Sequence, residues 1–325
     1  MLEHYLKQIA KLRTDVSPAR WTESTRFRAP HKPLLLLAVM DLFAEGSIVN
    51  NLIEPTSELG ELFTLYWARV MPPDQQGNLA LPFFHLKSDG FWHLVPRPGK
   101  EAFLAATRQI RSFNQLCDTV LGAKLDEELY MLLGVVGSRD LLRTVLIETY
   151  FAPEAQPSLV EQGAINIESF HYSQELLELA RTRRFKENLL DEESYRPAAR
   201  DQGFRRAVVT AYDHRCALCG IRMLTPDGHT VVDAAHIVPW SINHSDDPRN
   251  GMGLCRLCHW TFDEGLIGVS ARYVVVTSPQ LAVGQNVPGH LLTLNGRGII
   301  GPVEEPLWPD LDAINWHRLN RFRSR

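Results

Sequence analysis

Cys216-Ala217-Leu218-Cys219 and Cys255-Arg256-Leu257-Cys258 bracket the run Asp233-Ala234-Ala235-His236-Ile237-Val238-Pro239-Trp240, and His259 follows the second pair directly. Thiolates two residues apart can each take two corners of a tetrahedron, so two such pairs saturate a zinc ion and leave no position for water. The spacing therefore predicts a closed structural zinc site built from Cys216, Cys219, Cys255 and Cys258. His236 and His259 are then left for other work. A histidine beside Cys258 is also a candidate to complete the zinc site, although four cysteines already suffice.

Outward from these pairs, Phe204 to Tyr212 has the pattern of a helix leading into the first pair. Thr230 to Ile237 reads as a strand, Asp246 to Gly251 as a loop rich in turn formers, and Leu254 to Phe262 as a helix stopping near Gly265. Tyr273 to Thr277 reads as a further strand. The expected order around His236 is strand, loop, helix.

The first half is expected to be mainly helical with a small β-hairpin. Met1 to Leu12, Leu34 to Ala44, Glu58 to Val70, Leu125 to Leu133 and Asp140 to Tyr150 carry apolar residues at helical spacing. Pro30 and Pro33 open the second of these and Gly46 supplies its stop. Pro82 to Leu86 and Gly90 to Val95, around an Asp89-Gly90 turn signal, read as the two strands of the hairpin. Pro153 and Pro157 mark a break, and Ser173 to Leu190 resumes as a charged helix. The fold class is thus α+β, with domains over residues 1–155 and 195–325 and a linker and connecting helix over 156–194.

With 325 residues, 45% of them hydrophobic, the chain can bury two cores. Five cysteines, four of them in the pairs and Cys117 alone, point to a reducing compartment rather than a disulfide framework. Met1 to Arg13 has no apolar signal core, and the most apolar stretch, Pro33 to Met40, is far too short to span a bilayer, so a cytoplasmic location is expected. A formal net charge of −4 does not by itself announce a nucleic-acid partner. Basic residues nevertheless cluster at Arg20, Arg26, Arg28 and Lys32, at Arg181, Arg183, Arg184 and Lys186, at Arg200, Arg205 and Arg206, and at Arg318, Arg321, Arg323 and Arg325. Each cluster alone fits a solvated surface; their repetition in both halves leans towards a polyanion.

Tyr212-Asp213-His214-Arg215-Cys216-Ala217-Leu218-Cys219-Gly220, Ala234-Ala235-His236-Ile237, Asn250-Gly251, Cys258-His259, Phe262-Asp263 and Gly265-Leu266 together resemble HNH nucleases of the ββα-metal class. Asn295-Gly296-Arg297 and Trp316-His317-Arg318 resemble the tail of such enzymes. The resemblance spans roughly Phe204 to Arg323. It implies hydrolysis of a phosphodiester by one divalent ion and one neutral imidazole. His236 is the expected general base, since an unperturbed imidazole with a pKa of about 6.5 is largely neutral at cellular pH. Asn250 would fix that imidazole or its loop, its alternative being a simple Asn-Gly turn residue. His259 is the expected ligand of the catalytic metal. Many HNH sites place an acidic ligand just before the base, where this chain has Ala235, so Asp233 is nominated as second ligand, with Asp263 its competitor. Mg²⁺ or Mn²⁺ is the expected ion, while a histidine ligand also admits Ni²⁺, Co²⁺ or Zn²⁺.

Ala29-Pro30-His31-Lys32-Pro33 followed by Leu34 to Leu37, the helix holding Glu61-Leu62-Phe63 and Trp67, and Leu81-Pro82-Phe83-Phe84-His85-Leu86 with Asp89-Gly90-Phe91-Trp92 resemble the sulfur-binding domain of HNH restriction endonucleases that cut phosphorothioate-modified DNA. A sulfur in place of a phosphate oxygen is larger and less hydrated, so an apolar cup can select it. Leu81, Pro82 and His85 are the expected cup. Arg28, His31 and Lys32 are the expected contacts to neighbouring phosphates or a base edge. The implied function is a modification-dependent restriction endonuclease acting on double-stranded, phosphorothioated DNA, with no membrane role and with a homodimer as one way to cut both strands. The alternatives are an HNH endonuclease that reads a methylated or glucosylated base, and a non-catalytic, zinc-stabilised DNA-binding protein.

Overall fold

The computed structural model describes residues 1–183, 194–225, 229–282 and 289–324. The chain divides into two compact units, Met1–Ile167 with Leu224–His229, and Glu168–Met223 with Thr230–Arg325. Arg184, Lys186 and Arg325 of the basic clusters, and the end of the helix expected to reach Leu190, lie outside the described residues.

In the first unit the helices are α1 (Leu2–Ile9), α2 (His31–Ala44), α3 (Ser57–Val70), α4 (Ala80–His85), α5 (Glu101–Ala106), α6 (Phe113–Thr119), α7 (Glu127–Gly134) and α8 (Val136–Tyr150), with the start of α9 (Gln156–Arg181). Strands β1 (Trp92–Pro96) and β2 (Val120–Leu125) pair antiparallel, Trp92 opposite Leu125. Every residue of α2 from Lys32 to Phe43 is buried. Pro33 sits in the first turn of α2, where no backbone N–H is needed, and the run Leu34 to Leu37 is apolar on every side, so α3, α4, α7 and α8 can all pack against it. Each such leucine contributes about 1.5–3 kcal/mol by its burial.

The one acid inside this helix, Asp41, is satisfied on both oxygens. Oδ1 accepts from Arg143 Nη2 at 2.5 Å, and Oδ2 from Tyr66 Oη at 2.8 Å and Asn166 Nδ2 at 2.7 Å.

The expected hairpin is only half present. Gly90 to Val95 overlaps β1, but Pro82 to Leu86 is helix α4 and its following turn, and the partner of β1 is β2, far along the chain. Asn78 Oδ1 accepts from the Ala80 backbone N–H at 2.9 Å and starts the helix, Pro82 falls in its first turn, and Leu79, Ala80, Phe83 and Phe84 are buried with helical spacing. Asp89-Gly90 serves as a helix stop, Gly90 adopting φ 91°, rather than as a hairpin turn.

The second unit contains the rest of α9, then α10 (Pro197–Ala211), β3 (Val232–His236), α11 (Trp240–Asn243), β4 (Gly251–Cys255), α12 (Arg256–Asp263), β5 (Ile267–Val269), β6 (Val275–Thr277), α13 (Gly289–Leu292) and α14 (Leu311–Asn320). β3 and β4 pair antiparallel with Val232 opposite Cys255 and His236 opposite Gly251, and α12 follows at once, so the order is strand, excursion, strand, helix. β4 replaces the loop and helix start expected there. All five of its residues are buried, so it lacks the alternation that marks a strand. Its glycines permit α10 to approach: a Cβ on Gly251 would stand 2.6 Å from Val208 Cγ2, and one on Gly253 2.9 Å from Tyr212 Cβ. Gly265, at φ 67°, ends α12 beneath the carbonyl of Arg321, which a Cβ would meet at 2.0 Å; this brings the end of α14 beside α12.

Candidate active site and metal centre

The four paired cysteines converge. Cys216 and Cys219 sit on a knuckle closed by the Gly220 N–H to the Cys216 carbonyl at 2.9 Å, while Cys255 ends β4 and caps α12, whose first turn holds Cys258. Their sulfurs all lie within 4.8 Å of one another, Cys219 Sγ and Cys255 Sγ at 3.7 Å. A zinc–sulfur bond of about 2.3 Å gives a tetrahedral edge of about 3.8 Å, so the cluster has the size of a zinc site with four thiolate ligands. Three of the four are buried and none forms a disulfide. His259 is not part of this group, so the reading in which it completes the zinc site is not supported by the geometry.

A cleft of about 550 Å³ opens beside this centre, lined by Ala234, His236, Ile237, Pro239, Trp240, His259, Phe262, Asp263, Glu264, His317 and Arg321. His236 reaches it from the end of β3 and His259 from α12, so the hairpin and the helix bring together two histidines distant in sequence. The His236 ring stacks on Phe204 of α10, centroids 3.8 Å apart and planes 10° apart, which sets its orientation. His236 Nε2 lies 3.2 Å from Asp246 Oδ1. Asp246 Oδ2 accepts from Tyr172 Oη at 2.9 Å and from Arg200 Nη2 at 3.1 Å. Burial alone would raise the Asp246 carboxyl, but hydrogen bonds from His236, Arg200 and Tyr172 hold it below the ordinary carboxylate value. An ionised Asp246 accepts only, so the imidazole must present Nε2–H to it and keep Nδ1 as its acceptor nitrogen.

Asn250 does not touch the imidazole. Its Oδ1 accepts from the Val238 N–H at 2.9 Å, and its Nδ2 donates to the Val238 carbonyl at 3.0 Å and the Ser245 carbonyl at 3.3 Å. It therefore closes the excursion between β3 and β4. His259 Nε2 lies 3.5 Å from Asp263 Oδ2, one helical turn on, and this pair faces the cleft. Asp233 does not: strand alternation turns it away from His236, and Arg205 Nε donates to its Oδ1 at 2.9 Å. Of the two nominated carboxylates, Asp263 is the one the fold brings to His259. His317, on α14, stacks on Phe262 at 3.7 Å with Nε2 2.9 Å from the Phe262 carbonyl, and burial depresses it to a pKa of about 4, so the ring is neutral.

The first unit distributes its nominated residues unevenly. Leu81 and His85, four apart on α4, are half-buried on one helical face, whereas Pro82 is buried. Arg28 is exposed. Lys32 is buried, its ammonium 2.6 Å from Asp89 Oδ2, so its charge is already neutralised. His31 lies edge-on between Trp21 and Trp67, at 5.4 and 4.7 Å, and burial depresses its pKa to about 4, which leaves no cation to offer a phosphate at neutral pH. Several members of the basic clusters are engaged with the protein itself: Arg181 with Glu304, Arg205 with Asp233, Arg206 over the Phe170 ring, Arg323 with Glu264.

Sequence reasoning misses Asp246, Tyr172, Arg200 and Phe204 as parts of the site. The available signal is a second acidic position ten residues beyond His236, in a loop that must fold back for β4 to pair with β3. No helix among the described residues is long and apolar enough to cross a membrane.

No curated protein matches the chain. Among solved structures, a modification dependent TagI restriction endonuclease matches at 28% identity over 36% of this chain and 36% of that one, with a TM-score of 0.27. The family model described as HNH endonuclease matches residues 216–270, which hold the four cysteines, His236, Asn250 and His259. Because the model of the ScoMcrA-like DNA sulfur-binding domain matches residues 3–166, half of the chain, the protein belongs to that family and carries its HNH endonuclease domain C-terminal to the sulfur-binding one.

Proposed function

We propose that this protein is a modification-dependent restriction endonuclease that binds phosphorothioated double-stranded DNA through its first unit and hydrolyses the backbone in the cleft of its second. The observation that carries the hydrolytic half is the convergence of His236 and His259 on one cleft, with Asp246 holding the Nε2 side of His236. His236 Nδ1 takes the proton from the attacking water, Asp246 stabilises the resulting imidazolium, and Phe204 keeps the ring in plane. His259 and Asp263 are spaced to share one divalent ion, Mg²⁺ or Mn²⁺, which when bound supplies counter-charge for the phosphorane and its leaving oxygen. The four-cysteine site holds zinc as a brace between the knuckle and α12.

The recognition half is supported by the sulfur-binding family match and by α4, where Leu81 and His85 share a face. On this reading Leu81 and His85 meet the altered phosphate, Pro82 supports them from beneath, and exposed Arg28 meets a neighbouring phosphate. Lys32 acts through Asp89, bracing the turn after α4, and His31 acts as packing. One HNH centre cuts one strand, so a double-strand break takes two protomers or two successive nicks. The test is digestion of paired duplexes identical except for sulfur. Only the modified duplex should be cut; equal cutting of both would remove the modification claim and leave a plain nuclease.

A further inference from the structure

Two large apolar side chains stand out of the fold beside the cleft. Trp240 is 38% exposed and Ile242 52% exposed, both on the four-residue helix α11 that follows His236. The chain holds them there. Pro239 sets the entry with φ −53° and ψ 137°, and His244 closes the turn in the left-handed region at φ 49°, its N–H bonded to the Trp240 carbonyl at 2.8 Å. The Trp240 ring is held in place as well: the His244 ring packs edge-on at 4.6 Å, and the Arg200 guanidinium lies 5.1 Å over its centroid. Arg200 is the same residue that donates to Asp246, the partner of His236.

We propose that Trp240, assisted by Ile242, is a DNA-contacting wedge: it packs against bases or sugars in a groove of the duplex and so sets the scissile phosphate over His236 and His259. This deepens the nuclease reading and rests on it. Trp240 lines the same cleft as His236 and His259, so a phosphodiester bound between the two histidines lies beside this ring. Aromatic faces stack on any base, apolar wedges part base steps, and the Arg321 cation in the cleft lining suits a polyanion rather than an apolar protein partner. Because the Arg200 guanidinium touches both the ring and Asp246, a seated Trp240 also steadies the base.

The test uses the full-length chain and a phosphorothioated duplex carrying 2-aminopurine at successive positions. With the non-cutting His236→Ala background, binding should brighten the probe at one or two adjacent steps, and adding Trp240→Ala should abolish the brightening. In the cutting protein, Trp240→Ala should raise KM by about tenfold or more, the scale of one lost stacking contact, while Trp240→Phe stays within about threefold and both keep the wild-type melting temperature. Brightening that survives Trp240→Ala, or a KM unmoved by it, overturns the wedge. Trp240-dependent brightening in a protein that cuts no duplex upholds the wedge and overturns the nuclease reading instead; normal cutting without brightening overturns the wedge alone.

Discussion

Replacing Asp246 with asparagine changes one oxygen into an amide and leaves the shape intact, yet the hydrogen bonds around it dictate a large effect. Tyr172 and Arg200 both donate to Oδ2, so an asparagine must place its carbonyl oxygen there and turn its NH2 towards His236. That NH2 can only donate. His236 Nε2 must then become the acceptor, its proton moves to Nδ1, and the nitrogen needed as base is blocked. The equivalent tautomer error in a serine-protease triad lowers kcat on the order of 10⁴-fold, so a loss of about 10³- to 10⁴-fold is expected here, about 4–5.5 kcal/mol in the barrier. KM should change little, because Asp246 meets the base rather than the DNA. Loss of the charge facing Arg200 should cost about 1.5–3 kcal/mol of stability. Single-turnover cleavage of a modified duplex across a range of about pH 6–9, with circular-dichroism melts on the same samples, reads both quantities. A folded Asp246→Asn protein that cuts within about threefold of wild type would refute the assignment of Nδ1 as the base.

Three further outcomes follow from the packing. Cys258→Ser should lose the zinc, read as one equivalent by elemental analysis, and abolish the cooperative melt of the second unit, since structural zinc binding is worth about 10–16 kcal/mol in small zinc domains. Asp41→Ala should cost about 3–5 kcal/mol in urea unfolding of the first unit, because Arg143, Tyr66 and Asn166 would be left buried without their acceptor. His31 has a pKa of about 4 in the fold and about 6.5 when unfolded, so the unfolded chain takes up the proton first as pH falls. Its contribution is intact above about pH 6.5 and is lost progressively towards about pH 4, up to about 3 kcal/mol; His31→Phe should lessen the fall of the first unit's urea midpoint over that window, His85 still contributing to it.

How much the sequence disclosed depended on whether a signal was local. Cysteine spacing is local, and the four thiols meet as the spacing required. The long helices α2, α3 and α8 declared themselves by period, because each buries a face or its whole girth. β4 and β2 did not: the first is buried on both sides and shows no alternation, and the second has its partner far away in the chain. Asp89-Gly90 misled because the same dipeptide ends a helix or turns a hairpin, and only the capping by Asn78 decides which. Asp246 escapes notice because its role depends on where a loop folds back, which pair spacing does not encode. Asp233 misleads because proximity in sequence counts for little when a strand sends neighbours to opposite sides.

The amide of Asn250, bound to both the N–H and the carbonyl of Val238, gives the stretch from Pro239 to Ser245 a closed base. Insertions or exchanges within that stretch leave the pairing of His236 with Gly251 undisturbed, as tolerated changes in surface loops generally do. Variation in cutting preference among descendants of this chain should therefore collect there, around Trp240 rather than at it, and spare the knot that allows it.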